Sequence, residues 1–292
     1  MSVDLIIAGD LHASEQTPEC RTDNYLDALC AKIKWMTDLQ KKYKCPIVLP
    51  GDLFDKWLVT SELFNRLLEV WPTGHVLAVP GQHDLPQHSI EQQYRCGYET
   101  LVRMRKIVDL SKGDCWVQAN HAIYGLAWGQ EPFVPQHTNS ILVWHTTTWM
   151  DPIKPGDQKG HATRLLAKHK GYDLIITGDN HQTFTTTCEK RLLVNAGSVM
   201  RKRADQIDFK PCVFLWDSKT NTIKQQFIPI IKDAVSRKKI EQQKAREERE
   251  NVFVSRLNST DEVSLSFDEN VQCALKGKSK AVREMVLECV GE

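Results

Sequence analysis

The chain has 292 residues, enough for two domains or for one large domain with an appendage. Its 41% hydrophobic and 26% charged residues exclude a wholly disordered chain, a collagen or a coiled coil. With 38 basic against 37 acidic residues the net charge is +1, so any surface for a polyanion must be local. No stretch reaches the roughly 20 apolar residues that span a bilayer. The first apolar stretch contains Asp4 and Asp10 and reads as a strand, not a secretory signal. Nine scattered cysteines with no Cys-x-x-Cys pair read as reduced thiols in a cytoplasmic protein.

Val3 to Ala8 predicts a buried strand that stops at Gly9-Asp10-Leu11-His12. Leu26, Leu29, Ile33, Met36 and Leu39 step by three or four, which predicts a helix over 23–42. Pro46 to Pro50 predicts a second strand, stopping at Gly51-Asp52. A helix over 61–70 leads to a third strand over 75–79, which stops at Gly81-Gln82-His83-Asp84. The alternation predicts an α/β sandwich with parallel strands flanked by helices. The second half is expected to be richer in strands. They fall over 115–117, 121–126, 140–144, 173–177, 192–195, 212–216 and 223–229, with a helix over 161–169. Two of them stop at His145 and at Gly178-Asp179-Asn180-His181.

Composition changes after about Lys232, which divides the chain into a main domain over 1–232 and an appendage over 233–292. Residues 237–250 hold six basic and four acidic side chains around one large apolar one, Ile240. This suits a solvated helix with Lys244–Glu248 and Arg246–Glu250 pairs. Beyond it lie Phe253, Leu257, Leu265, Phe267, Val271 and Leu275, then Met285, Val286 and Val290 in a last helix. A segment this short is marginal as an independent core, so docking on the main domain or on a partner is expected.

Five apolar strands end at the same kinds of side chain: Asp10 and His12, Asp52, Gln82 and His83, His145, and Asp179 and His181. Ligand sites of α/β sheets collect at the carboxyl ends of strands, so these groups are expected to converge. A single Asp-x-His or Gly-Asp is more often a cap or a turn. The ordered set of five is far more specific. Carboxylates, imidazoles and one amide oxygen form a mixed O/N donor set suited to Mn²⁺, Fe or Zn²⁺, and eight such groups suit two ions.

Asp10-x-His12, Gly51-Asp52-x-x-Asp55, Gly81-x-His83-Asp84, His145 and Gly178-x-x-His181 resemble the signature of the calcineurin-like metallophosphoesterases. Within that superfamily, Ile123-Tyr124-Gly125-Leu126 and Asn195-Ala196-Gly197-Ser198 look most like the SbcD-type DNA-repair nucleases. The resemblance implies a metallophosphoesterase-type β-sandwich and a two-metal site. Asp10, His12 and His181 hold one ion, Asp52 bridges, and Gln82, His145 and Asp179 complete the other. His83 contacts the scissile phosphate, Asp84 orients His83, and Asp55 supports the ligands. Such a pair of ions, roughly 3.5–4 Å apart, lowers the pKa of a shared water and clamps the attacking and leaving oxygens. Two positions depart from the family pattern: Gln82 replaces an Asn, and Asp179 replaces a His. Both keep a donor atom, and the added carboxylate favours Mn²⁺.

Substrate does not follow from such a fold. Arg201, Lys202, Arg203 and Lys210 form one basic cluster, and Lys154, Lys159, Arg164, Lys168 and Lys170 form another. Either suits a nucleic-acid backbone or an ordinary solvated face. Trp128, Trp144 and Trp149 suit base stacking or the core. The leading expectation is a Mn²⁺-dependent DNA exo- or endonuclease acting in DNA repair or processing, with DNA as substrate. The resemblance implies an SMC-like coiled-coil ATPase partner docked on the C-terminal tail. The alternatives are a phosphatase or phosphodiesterase on a small or protein substrate, and an inactive metal-binding subunit.

Overall fold

The computed structural model describes residues 2–113, 115–150, 160–238, 241, 247–252, 255 and 266–290. The chain divides into two units, Met1–Ser236 and Arg237–Glu292. The first unit carries two six-stranded sheets. One contains β1 (Leu5–Ile7), β2 (Ile47–Leu49), β3 (Val76–Ala78), β4 (Val108–Asp109), β11 (Cys212–Asp217) and β12 (Thr222–Phe227). The other contains β5 (Trp116–Gln118), β6 (His121–Leu126), β7 (Ser140–His145), β8 (Leu174–Gly178), β9 (Phe184–Cys188) and β10 (Arg191–Asn195).

In the first sheet, ordered β12-β11-β1-β2-β3-β4, the strands β1 to β4 run parallel, while β11 and β12 form an antiparallel flank. In the second, ordered β5-β6-β7-β8-β10-β9, four central strands run parallel between antiparallel edges. The parallel strands are buried on both faces, which is why they read as unbroken apolar runs. Leu5 and Ile7 point into the layer between the sheets and meet Val48, Leu77, Ile123, Ile141, Val143 and Ile176. Ile6 points the other way, into a core with the helices α1 (Tyr25–Tyr43), α2 (Ser61–Val70) and α3 (Gly97–Arg103). On the far side, Leu142 and Ile175 pack against Leu165 and Leu166 of α4 (Ala162–Lys168). The result is the expected mixed α/β sandwich with helices on both outer faces.

Local chemistry sets the boundaries. The Asn24 side chain accepts the backbone N–H of Asp27, so α1 starts one residue later, and Lys44 ends it in a left-handed conformation. Thr60 caps α2 in the same way through the Leu63 N–H. In the first unit β4, α3 and the threonine-rich edge strand β9 were not anticipated.

In the second unit, Ser266 caps α5 (Phe267–Leu275), whose Val271 and Leu275 are buried, and α6 (Lys280–Val290) follows. Lys244, Arg246, Phe253, Leu257 and Leu265 lie outside the described residues, as do Lys154 and Lys159. Among the described residues no helix is long and apolar enough to cross a membrane.

Ile176 is fully buried between the sheets. Ile176→Ala is expected to lower stability by about 2–5 kcal/mol, read as a lower urea midpoint at unchanged slope. Val117→Thr, at a position 64% exposed, is expected to shift the midpoint hardly at all.

Candidate metal centre

The carboxyl ends of β1, β2 and β3 in one sheet and of β7 and β8 in the other meet at one edge of the sandwich. Asp10 follows β1, Asp52 follows β2, Gln82 and His83 follow β3, His145 ends β7, and Asp179 follows β8. Asp10, His12 and His181 bring ligand atoms within 4.8 Å of one another. Asp52, His145 and Asp179 do the same. The Asp52 carboxylate lies between the two groups, its Oδ2 3.7 Å from His12 Nε2 and 3.6 Å from His145 Nε2. Gln82 belongs to the second group, with its Oε1 2.6 Å from His145 Nε2 and its Nε2 donating to Asp179. All seven residues expected to hold metal therefore converge.

Their electrostatics suit cation binding. Asp10 is fully buried, and burial together with the charges of Asp52 and Asp179 raises its pKa well above the usual carboxylate range. Its Oδ2 accepts the backbone N–H of Asp179, while Oδ1 is buried without a hydrogen-bond partner among the described residues. Burial raises the pKa of Asp52 too, but His145 and His12 outweigh it and hold the group at about 2. Burial pushes His181 down to about 4, helped by His12 at 2.9 Å, and burial lowers His12 as well. Both imidazoles are thus neutral near pH 7, the form that ligates metal. Burial opposes the charged form of His145, but Asp52, Asp10 and the Pro50 carbonyl raise it to about 9. Nδ1 of that ring donates to Pro50 O at 2.6 Å, which turns Nε2 towards the centre. A buried carboxylate oxygen without a partner among the described residues, the neutral His12 and His181 imidazoles and a shared central carboxylate fit two divalent cations.

The loops that present these groups are tightly determined. His12, Asp52 and Asp179 have φ of 45°, 47° and 86°, in the left-handed region. A Cβ on Gly81 would lie 2.2 Å from Asp52 Oδ1, and one on Gly51 would lie 2.0 Å from His145 Nδ1, so neither position admits a side chain.

Asp84 does not orient His83. Its fully buried carboxylate accepts the backbone N–H groups of Leu53, Phe54 and Gly81, tying the β2 loop to the β3 loop. Burial and the Asp52 charge raise its pKa to about 7, against the pull of those three N–H groups. The His83 ring instead donates Nδ1–H to the Asp55 carbonyl at 2.9 Å and stands edge-on to His12. Asp55 supports the ligands as expected: its Oδ1 lies 3.6 Å from His12 Nδ1 and receives the Lys202 ammonium.

Sequence reasoning placed Lys202 in a basic cluster without seeing this contact. It also missed Thr147, whose hydroxyl donates to Asp179. The run Thr146-Thr147-Thr148 directly after His145 was the available signal. Thr147 also lines a cavity of about 650 Å³ whose other walls include Trp128, Trp144, Trp149, Arg164 and Lys168. Trp144 and Trp149 are mostly buried, as core residues are, and Trp128 is half-exposed with its ring 6.0 Å from that of His145.

Residues 3–220 match the sequence profile of the calcineurin-like phosphoesterase superfamily domain, and the chain belongs to that superfamily. It is a metal-dependent phosphoester hydrolase by class, of a kind that binds two divalent metals. Among solved structures the chain is similar to one described as a novel archaeal phosphodiesterase, with 12% identity over 77% of this chain and 99% of that one and a TM-score of 0.41. It is also similar to a putative 5'-nucleotidase from Staphylococcus aureus, at 13% identity over 78% of this chain and 54% of that one, TM-score 0.45. A 5'-nucleotidase precursor from Thermus thermophilus gives 11% identity over 86% of this chain and 59% of that one, TM-score 0.43. No curated protein matches the chain at a significant level.

Calorimetric titration with Mn²⁺ is expected to give two ions per chain, and one or none for Asp52→Ala. Asp84→Ala leaves three buried N–H groups without an acceptor, so a loss of about 3 kcal/mol or more is expected in urea unfolding.

Proposed function

We propose that the chain is a Mn²⁺-dependent phosphodiesterase acting on DNA, an exo- or endonuclease of the SbcD type. The observation that carries this reading is the aromatic and basic cavity beside the second metal group. It joins a half-exposed tryptophan to Arg164 and Lys168 within one recess. A base stacks on an aromatic face without regard to sequence, and cationic side chains neutralise the backbone on either side. A volume of about 650 Å³ holds a nucleotide unit. Manganese suits the oxygen-rich donor set that Asp179 and Gln82 give the second group.

Two divalent ions supply Lewis acidity and lower the pKa of a bound water. The protein does the rest. Asp52, held from behind by the His83 N–H at 3.0 Å, keeps its Oδ2 between the two groups. Donation of Nδ1–H to the Asp55 carbonyl orients the His83 ring, so Nε2 is the atom that meets substrate and, when the ring is doubly protonated, gives its proton to the leaving oxygen. In the second unit, Val282 and Met285 lie three residues apart on α6 and are 43% and 66% exposed, an apolar pair for the proposed coiled-coil ATPase partner.

Degradation of end-labelled linear DNA in Mn²⁺ is the test, run beside an aryl phosphodiester and an aryl phosphomonoester. Cleavage of DNA is expected, falling to background in Asp52→Ala. His83→Ala is expected to lower kcat by about 10²–10⁴-fold with both ions retained. Trp128→Ala is expected to raise KM for DNA and leave the aryl phosphodiester untouched. Hydrolysis of the small esters alone would replace this reading with a phosphatase or phosphodiesterase of small substrates.

A further inference from the structure

Behind the metal centre, on the outer side of the first sheet, three cationic side chains are buried together. Arg201 is 2% exposed and Lys32 is 7% exposed, and the Arg21 side chain is 3% exposed. The acid among them is Asp23, which Arg21 binds in a two-pronged pair at 2.8 and 2.6 Å. Among the described residues their other hydrogen bonds go to backbone carbonyls, and the Arg21 guanidinium also lies over the Tyr25 ring, 5.7 Å from its centroid. Arg21 donates to Arg201 O at 3.1 Å and Lys32 to Val199 O at 2.6 Å. Arg201 donates to Ile207 O and Ile231 O at 2.8 and 2.6 Å, while its Nε is buried with no hydrogen-bond partner among the described residues.

Burying charge without a counter-charge is expensive. Carbonyl dipoles lessen that cost, but among the described residues three cationic side chains face one carboxylate, a formal excess of two charges when Lys32 is protonated. Burial, with Arg21 and Arg201 nearby, pushes the Lys32 ammonium down to about 7, which is how such an excess registers on its softest member. The same three cations line a cavity of about 320 Å³. Asp23 lines it beside them, and its remaining walls are apolar and include Trp35, Pro229 and Ile230.

We infer that this cavity binds a small organic dianion, a phosphate-headed molecule whose apolar body lies against Trp35, Pro229 and Ile230. The head group supplies the two negative charges that Arg21, Lys32 and Arg201 lack, and guanidinium groups match phosphate oxygens in geometry as well as charge. The site is separate from the phosphoester centre. Its cations hold the carbonyls of Val199 and Arg201, whereas the Val199 N–H donates to the Asp10 carbonyl and Lys202 reaches Asp55.

The test is calorimetric titration of the full chain with phenylphosphonate, a non-hydrolysable aryl dianion, in the Asp52→Ala background and without metal. This removes competition from the metal centre. Saturable binding of one molecule per chain is expected, with benzoate weaker by about tenfold or more and benzyl alcohol not bound. Lys32→Met is expected to weaken binding about tenfold, and Asp23→Asn to tighten it several-fold. The opposite signs of these two variants separate a charge effect from a folding defect. No saturable binding, equal affinity for benzoate or benzyl alcohol, or insensitivity to both substitutions would overturn the assignment.

Discussion

Three carboxylates, Asp10, Asp52 and Asp179, are brought together at one edge of the sandwich, and two of them are almost wholly buried. Their mutual repulsion and loss of hydration work against folding, and much of the surrounding structure answers that cost. His145 Nε2 lies 3.6 Å from the Asp52 carboxylate. The Asp179 N–H caps Asp10, and the His83 N–H steadies Asp52. Asp84 secures the loops through its three backbone N–H donors, which work against its burial and the nearby Asp52 charge. Metal binding and folding are thereby linked: cations that relieve the repulsion also stabilise the loops that hold them.

The two departures from the family pattern form one unit. Gln82 is longer than the residue it replaces, and Asp179 is shorter. The Gln82 amide turns its oxygen to His145 and its nitrogen to Asp179, and Thr147 holds the other oxygen of that carboxylate. The extra methylene on one side is thus taken up by the shorter side chain on the other, so the second group of ligands stays closed.

The parts of this structure that were legible in the sequence are those where one residue speaks for itself. An apolar run buried on both faces declares a parallel strand, and a carboxylate or imidazole directly after it declares a strand-end ligand. β9 escaped because Phe184-Thr185-Thr186-Thr187-Cys188 is a half-exposed edge with little apolar content. α3 escaped because it opens on a glycine and is capped by a cysteine sulfur. The role of Asp84 was misread because it depends on where three backbone N–H groups point, which side-chain identity does not encode. Arg21 and Arg201 escaped as a pair because 180 positions separate them in a chain whose net charge is near zero.

His12, Asp52 and Asp179 stand where the backbone would be more at ease with glycine. Three metal-binding side chains are therefore carried on conformations that cost of order 1–3 kcal/mol each. Selection for heat resistance alone would erode these positions, since replacing each with glycine relaxes the main chain while deleting a ligand. The most durable form of this scaffold is a catalytically silent one, and the charged edge of the sandwich persists only as long as its chemistry is under selection.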